Sequence, residues 1–306
     1  MKTQNKKFLK CLLVGFLVIN YFLLLTYLHG GAAGTTGAQF LKLSIGARAA
    51  ALGESFVGLS DDINSIYWNP AGLTNLTNLQ VTVSGTISYE NVYYGFLGIG
   101  RNISDGNAFG LGVTYLGIDK MRGYDVDGNP TSDYTANDIA VALSYAWRLR
   151  NISFGITAKA IQQKIADATA DSFGVDFGGL YNLQKITFGL ALQNFGPQIG
   201  FNEKFNLPTS VKFGFSYKPK ENLILLSDLN FPFDYTPNLH VGTEFVYKGI
   251  LVLRLGFRTT TIDTLGILSA FSAGIGIKIE RINFDYAILP YGDLGLTHRI
   301  SILLHL

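Results

Sequence analysis

The chain has 306 residues, of which 48% are hydrophobic and only 15% are charged. Soluble globular proteins carry about 25% charged residues, so this composition is atypical of a water-soluble domain. Glycine is frequent, at 35 residues, and aromatic residues make up 13% of the chain. The composition favours a membrane protein, and the formal net charge of +2 is too small to indicate nucleic-acid binding.

The first 33 residues have the pattern of a secretory signal peptide. Four lysines precede an apolar run that continues to Leu28, and a cluster of small residues follows at 30–34. We predict cleavage after Ala33; the alternative is an uncleaved anchor, because the run is near the ~20 residues that a bilayer helix needs. Cleavage removes those lysines and the single cysteine, Cys11, so the mature chain has 20 basic residues, 22 acidic residues and no thiol.

Residues 34–77 lack regular alternation and are predicted to form a unit of their own. The stretch Ile45–Gly53 is rich in small residues and could hold a short helix. In Tyr67–Leu73, which reads YWNPAGL, Asn69 suits a helix N-cap and Pro70 suits the first helical position. Gly72 is predicted to end the turn early. Such an uncharged, apolar turn requires an enclosed site.

From about residue 78 onward, apolar residues alternate with small or polar residues. In Ile139–Trp147, Phe173–Tyr181 and Phe271–Ile279, one face of each predicted strand is bulky and apolar, and the other carries Ala, Ser, Gly or a charge. A soluble sandwich would bury the apolar face, whereas a membrane barrel would turn it toward lipid and fill its lumen with small and polar groups.

Strand length and connection length favour the barrel. Most of the about fourteen candidate strands span at least ten residues, whereas globular strands average about five or six and bilayer-crossing strands need about nine to eleven. Short turns alternate with longer loops, which is typical of outer-membrane barrels with short periplasmic turns. The predicted strands are 79–88, 92–101, 107–117, 138–149, 151–163, 172–183, 185–195, 208–218, 222–231, 238–248, 250–260, 269–280, 282–290 and 297–306.

Two stretches resemble a known family. Gly34–Leu73, GTTGAQFLKLSIGARAAALGESFVGLSDDINSIYWNPAGL, resembles the N-terminal segment of the PorV/PorQ family of outer-membrane barrels, which are related to FadL-type transporters. Gly292–Leu306 resembles the last strand of that family. The hatch motif Asn69, Pro70, Ala71 and Gly72 resembles the NPA motif of the FadL-type hatch.

The resemblance implies an all-β fold: a transmembrane antiparallel β-barrel of about 14 strands with an N-terminal hatch, or plug, in its lumen. The implied organisation is a signal peptide at 1–33, the hatch at 34–77 and the barrel at 78–306, in the outer membrane of a Gram-negative-type bacterium. Contact with outer-membrane lipid follows from that location.

For PorV-like members, the resemblance implies a non-enzymatic role in type IX secretion, with secretion-system subunits and secreted proteins bearing a C-terminal signal domain as partners. For FadL-like relatives, it implies passive transport of hydrophobic compounds such as long-chain fatty acids, which stays the alternative. Residues 78–306 leave little room for the long loops of a ligand funnel, and this favours secretion.

Charged residues within the predicted strands are assigned to the lumen, because a charge facing lipid at the midplane costs roughly 2–4 kcal/mol. They either pair across the lumen or anchor the hatch, or they form a path for an ion or substrate. We expect Arg48, Asp61 and Asp62 to be anchoring partners on the hatch. The lumen-facing set is Lys159, Asp176, Lys212, Asp228, Glu244, Arg254, Arg258 and Asp285.

The mature sequence contains no motif for catalysis, a metal or a cofactor. His298 and His305 lie seven residues apart on the last predicted strand and therefore face opposite sides. Glycine pairs within the strands are not followed by a helix, so they do not indicate nucleotide binding. The expectation is a protein without enzymatic activity, metal or cofactor.

Overall fold

The computed structural model describes residues 34–87 and 92–306. The predicted signal peptide, residues 1–33, lies outside the described residues. No helix in the described part of the chain has the length and apolarity needed to cross a bilayer.

Within the described residues the chain forms fourteen antiparallel strands that close into one barrel, which confirms the predicted fold class. Each strand pairs with its sequence neighbours, and β1 closes the ring by pairing with β14, with Gln80 opposite His305. The strands are β1 Gln80–Ile87, β2 Val92–Ser104, β3 Asn107–Met121, β4 Tyr134–Leu149, β5 Ile152–Ile165, β6 Ala168–Leu183, β7 Ile186–Phe195, β8 Ser210–Lys220, β9 Leu223–Pro232, β10 Asn238–Tyr247, β11 Leu251–Arg258, β12 Phe271–Ile279, β13 Ile282–Pro290 and β14 Leu296–His305.

The two faces of the wall follow the alternation of the sequence. On β4, Leu143 is 58% exposed whereas its neighbours Ala142 and Ser144 are buried. On β6, Phe173 and Phe177 are exposed and Asp176 between them is fully buried. Because the exposed face is apolar and the enclosed face is small or polar, the wall suits a lipid exterior rather than a soluble sandwich.

The connections differ between the two rims. The turns that follow β2, β4, β6, β8, β10 and β12 are short, and we call this end the short-turn rim. The connections at the other end, the long-loop rim, include the long segments 122–133, 196–209 and 259–270. Other connections at this rim are shorter, and the link between β5 and β6 is a tight turn of residues 166–167.

Several strands extend further toward the long-loop rim than we predicted. β4 begins at Tyr134 rather than near residue 138, and β6 begins at Ala168 rather than near residue 172. Most of the added residues are alanine or polar, so neither face carries the bulky apolar residues that mark the rest of the strand. Pairing such as Lys164 with Thr169 continues regardless, because a strand beyond the bilayer no longer needs one apolar face.

Short helices and turns lie inside and at the rim of the barrel. The apolar core is enclosed by the wall and is built by residues of the N-terminal region, with Phe56, Ile63 and Trp68 each at most 2% exposed. The helices are α1 Ala47–Ala51, α2 Ser65–Trp68 and α3 Ile262–Leu265, and the 3-10 turns are Gln39–Lys42, Pro70–Asn75, Ile267–Ala270 and Gly292–Leu294.

Candidate functional site in the barrel lumen

The N-terminal segment, which we define as residues 34–79, crosses the lumen from one rim to the other. At the long-loop rim, the Gly37 backbone N–H donates to the carbonyl oxygen of Asn206 over 2.9 Å. At the short-turn rim, the Leu306 N–H donates to the carbonyl oxygen of Leu79 over 2.8 Å. The described chain therefore starts beside the long loops, although β1 starts at the opposite end.

Asn69 ends α2 and caps the 3-10 turn that follows. Its backbone is extended, with φ −160° and ψ 102°, and its Oδ1 accepts the Ala71 N–H over 3.2 Å. Pro70 occupies the first position of the turn, where a missing N–H costs nothing. The turn continues to Asn75, so the expectation that Gly72 ends it was wrong. Gly72 instead allows close approach, because an added Cβ there would overlap the Ser60 carbonyl oxygen.

The Asn69 side chain also joins the N-terminal segment to the wall. Its Nδ2 donates to the carbonyl oxygen of Val57 and to that of Gly179 on β6, each over 3.1 Å. Asn69 is fully buried. Beside it, Trp68 packs inside the barrel with the Lys212 ammonium 5.1 Å from its ring centroid. The YWNPAGL stretch thus contributes apolar burial, a cap and a hydrogen bond to the wall.

Glycines on the inner wall bring the barrel backbone close to the N-terminal segment. Gly155 on β5 and Gly178 on β6 lie against Asn69 and Pro70, and an added Cβ at Gly178 would overlap Asn69 Oδ1. Similar pairs on β7 and β8, and on β10 and β11, face residues 57–58 and 52–53. We call this set the glycine seat: Gly155, Gly178, Gly189, Gly214, Gly242 and Gly256.

Alternation predicted only that the lumen face would be small, not which glycines touch the segment. The signal that could have found the seat is the occurrence of inward-facing glycines on adjacent strands. Gly214 and Gly189 are directly paired across β7 and β8, and Gly242 and Gly256 across β10 and β11. Such pairs leave a gap in the inner wall that another backbone can occupy.

A charged cluster ties α1 to the wall near the short-turn rim. Arg48 Nη1 lies 2.7 Å from Asp61 Oδ1 and 3.0 Å from Asp62 Oδ2, and its Nε lies 2.8 Å from Glu244 Oε2 on β10. Glu244 also accepts from Arg254 Nε on β11 over 2.7 Å. We call Arg48, Asp61, Asp62, Glu244 and Arg254 the Arg48 cluster. Its geometry joins two parts of the N-terminal segment to two strands.

Further ion pairs join the segment to the barrel closer to the long-loop rim. Glu54 pairs with Arg258 on β11, and Lys42 pairs with Asp234 in the loop after β9. Partial burial pushes the pKa of Asp234 upward, but hydrogen bonds from Lys42 and Thr36 outweigh it and hold that pKa below its usual value. The Asp234 carboxylate therefore stays ionised where the segment meets the loops.

The structure places the charges that we assigned to the lumen on the enclosed face. Lys159 and Asp176 pair over 2.7 Å, and Arg254 Nη1 donates to Asp285 over 2.6 Å. Asp228 Oδ2 accepts the backbone N–H groups of residues 56 and 57, each over 2.8 Å. Lys212 is half-buried, and within the described residues no carboxylate lies within 4.0 Å of its ammonium. Most of these charges contact the segment or one another.

Sequence reasoning missed two residues that contact the segment in the lumen. Glu54 was not singled out, although it pairs with Arg258. His240 on β10 was not assigned a contact, yet its Nδ1 lies 2.7 Å from the Gly53 carbonyl oxygen and its Nε2 lies 2.6 Å from Asn238 Oδ1. Neither partner could be found from spacing, because residues 53–54 reach β10 and β11 only through the fold.

A cavity of about 330 Å³ lies between the N-terminal segment and the long-loop rim. Its lining includes Glu54, Lys212 and His240, together with asparagines from β7, β9 and β10. Hydrophobic ligands are held mainly by apolar and aromatic linings with few polar groups. This cavity suits water or a small polar molecule better than a long alkyl chain. Within the described residues, no group of three metal-ligating side chains comes together.

The sequence matches the family model described as type IX secretion system protein PorV over residues 30–229. No curated protein sequence matches it. The matched region contains the N-terminal segment with its NPA motif and the strands up to β9.

Solved barrels of toluene transporters and a FadL homologue share the fold. TodX from P. putida aligns with a TM-score of 0.64 at 11% identity, covering 86% of this chain and 99% of TodX. TbuX from Ralstonia pickettii aligns with a TM-score of 0.59 at 13% identity, covering 85% of this chain and 97% of TbuX. A FadL homologue from Pseudomonas aeruginosa aligns with a TM-score of 0.57 at 12% identity, covering 84% of this chain and 98% of the homologue. At these identities the likeness shows the fold alone.

Proposed function

The chain belongs to the family of the type IX secretion system protein PorV, and we propose that it is a non-enzymatic barrel that binds secreted cargo at its long-loop rim. Membership makes it an outer-membrane β-barrel of type IX secretion. Cargo with a C-terminal signal domain is received at the loops and handed to other secretion subunits. The lumen itself stays closed.

Exposed apolar side chains on the long-loop rim carry this proposal. Val126, at the tip of the loop 122–133, is fully exposed, and Tyr124 in the same loop is 60% exposed. Leu268, in the connection after β11, is 73% exposed. Apolar groups held out in water on loops are a common feature of protein-binding surfaces. They suit a protein partner better than a small solute.

The filled lumen is a second observation that supports the same proposal. The Arg48 cluster and the glycine seat hold the N-terminal segment against six strands, β5 to β8, β10 and β11. We propose that residues 34–77 act as a fixed hatch, so that no folded protein passes through this barrel. Cargo then has to be bound on the outside.

The proposal includes export by a cleaved signal peptide. Cleavage after Ala33 leaves Gly34 as the first residue, directly before the part of the segment that contacts the loop 196–209. Amino-terminal sequencing of protein purified from outer membranes tests this. A sequence starting at Gly34 is expected, and one starting within the lysine-rich first ten residues would contradict cleavage.

Affinity purification from outer membranes tests cargo binding. We expect the wild-type barrel to recover secreted proteins that share a C-terminal domain. The double variant Tyr124→Ser and Val126→Ser removes the apolar tip of one loop and should lower that recovery. Thr131→Ala with Ser132→Ala changes the same loop without removing apolar surface and is the matched control. An eluate that contains lipid and no such proteins would sink the proposal.

Passive transport of hydrophobic compounds such as long-chain fatty acids is the alternative. Its support is the shared fold with proteins named as toluene transporters. The polar lining of the cavity beneath the loops weighs against it. Uptake of a labelled long-chain fatty acid into liposomes distinguishes the two functions. Liposomes that contain the barrel should take up the fatty acid at the same rate as liposomes without protein, and a faster rate would favour transport.

A further inference from the structure

The two rims of the barrel carry opposite charge. The short-turn connections have four basic and three acidic residues, whereas the described connections of the long-loop rim have two basic and eight acidic residues. The ranges counted are 105–106, 150–151, 184–185, 221–222, 248–250 and 280–281 for the short-turn rim, and 122–133, 166–167, 196–209, 233–237, 259–270 and 291–295 for the other. The mature chain is nearly neutral, so the separation is a matter of position rather than of total charge.

The basic residues form a ring with a cation in or near each of the six short turns: four lie in the turns, Lys220 ends β8, and Arg101 lies three residues before the end of β2. All members of the ring are exposed. Within the described residues, none of them lies within 4.0 Å of a carboxylate. We define the basic ring as Arg101, Arg150, Lys185, Lys220, Lys248 and Arg281.

Aromatic residues place the ring at the depth of lipid headgroups. Trp147, Tyr181, Tyr217 and Tyr247 lie near the ends of their strands, one to four residues from the short turns. Tyr and Trp concentrate at the boundary between hydrocarbon and water. The Lys248 ammonium lies 5.4 Å from the centroid of the Tyr247 ring. The cations just beyond this boundary lie where lipid phosphates are found.

We propose that the basic ring binds the phosphates of anionic phospholipid headgroups in the periplasmic leaflet. The charge is complementary, and no carboxylate of the described residues pairs with the ring cations. Lipid surrounds a barrel on every side, and the ring likewise has a cation in or near every short turn, whereas a protein partner would need basic residues on one sector only. Short turns face the periplasm in outer-membrane barrels, which assigns the leaflet.

The test compares two fourfold variants of the full chain with the same change in charge. The ring variant carries Arg101→Gln, Lys185→Gln, Lys248→Gln and Arg281→Gln. The control carries Lys120→Gln, Arg122→Gln, Lys164→Gln and Lys204→Gln, at or near the other rim. Each protein is folded in mixed phosphatidylglycerol and phosphatidylcholine, and the lipids that it retains after extraction are counted by native mass spectrometry.

The wild type and the control should retain phosphatidylglycerol in preference to phosphatidylcholine. In the ring variant the preference should fall at least about fivefold, which corresponds to the loss of one cation beside an anionic surface. Equal retention of both lipids by the wild type, or an equal fall in the control, would overturn the proposal. So would loss of the preference in inorganic phosphate at constant ionic strength, because the ring would then be a site for free phosphate.

Ionic strength gives a second measurement that needs no variant. The preference of the wild-type protein should shrink as salt is raised, because exposed charges are screened within about one Debye length. A preference that does not change with salt would contradict headgroup binding even if the ring variant failed to fold.

Discussion

Gly178 and Gly179 are adjacent on β6 but have opposite surroundings. A Cβ added at Gly178 would overlap Asn69 in the lumen, whereas a Cβ at Gly179 would meet nothing within 4 Å. We therefore expect Gly178→Ala to lower the free energy of unfolding by about 1–3 kcal/mol, the usual cost of overpacking. Gly179→Ala should be nearly neutral. Urea unfolding followed by tryptophan fluorescence in detergent measures both, and equal effects would contradict the glycine seat.

At the same scale, the sequence predicts some residue contacts and not others. Glu244 and Arg254 are directly opposite on β10 and β11, so a hairpin with a tight turn already brings them together. Arg48 could be expected to need acidic partners, but nothing in its spacing points to Glu244. That contact depends on where α1 lies in the lumen, which no local pattern determines.

At the scale of elements, Arg48 should decide whether the N-terminal segment stays in place. Arg48→Met leaves Asp61, Asp62 and Glu244 close together without their shared cation, and breaking such a buried group costs roughly 3–5 kcal/mol. We expect the lumen of this variant to open more often, and the conductance in planar bilayers to rise above that of the wild type. Arg101→Met, which removes an exposed cation from β2, is the control.

An unchanged conductance in the Arg48→Met variant would show that the cluster does not hold the segment. A rise of the same size in the Arg101→Met control would also count against this role. Comparing the two variants thus separates the effect of breaking the cluster from a general effect of removing a positive charge.

The strands are the elements that the sequence predicted best. Alternation sets which residues face lipid, and a lipid face tolerates few exceptions. The pattern fails where the strands leave the bilayer, and this explains why the extensions of β4 and β6 were missed. The path of residues 34–79 had no periodic signal, because it is determined by contacts with many strands at once.

At the scale of the whole molecule, the rims define an orientation that can be measured. The chain has no cysteine after residue 33, so single cysteines can be introduced without background. Val126→Cys, on the long-loop rim, should react with a membrane-impermeant maleimide in intact cells. Glu221→Cys, on a short turn, should react only after the outer membrane is permeabilised. The reverse order of labelling would show that the orientation is the opposite of the one proposed, and the basic ring would then lie in the other leaflet.

The central claim is that cargo is bound at the loops while the lumen stays closed. Photo-crosslinking in outer membranes tests it most directly, with the crosslinking amino acid placed at position 126 in one strain and at position 212, inside the lumen, in another. We predict covalent adducts with secreted proteins that share a C-terminal domain from position 126 and none from position 212. Adducts from position 212, with none from position 126, would contradict the account.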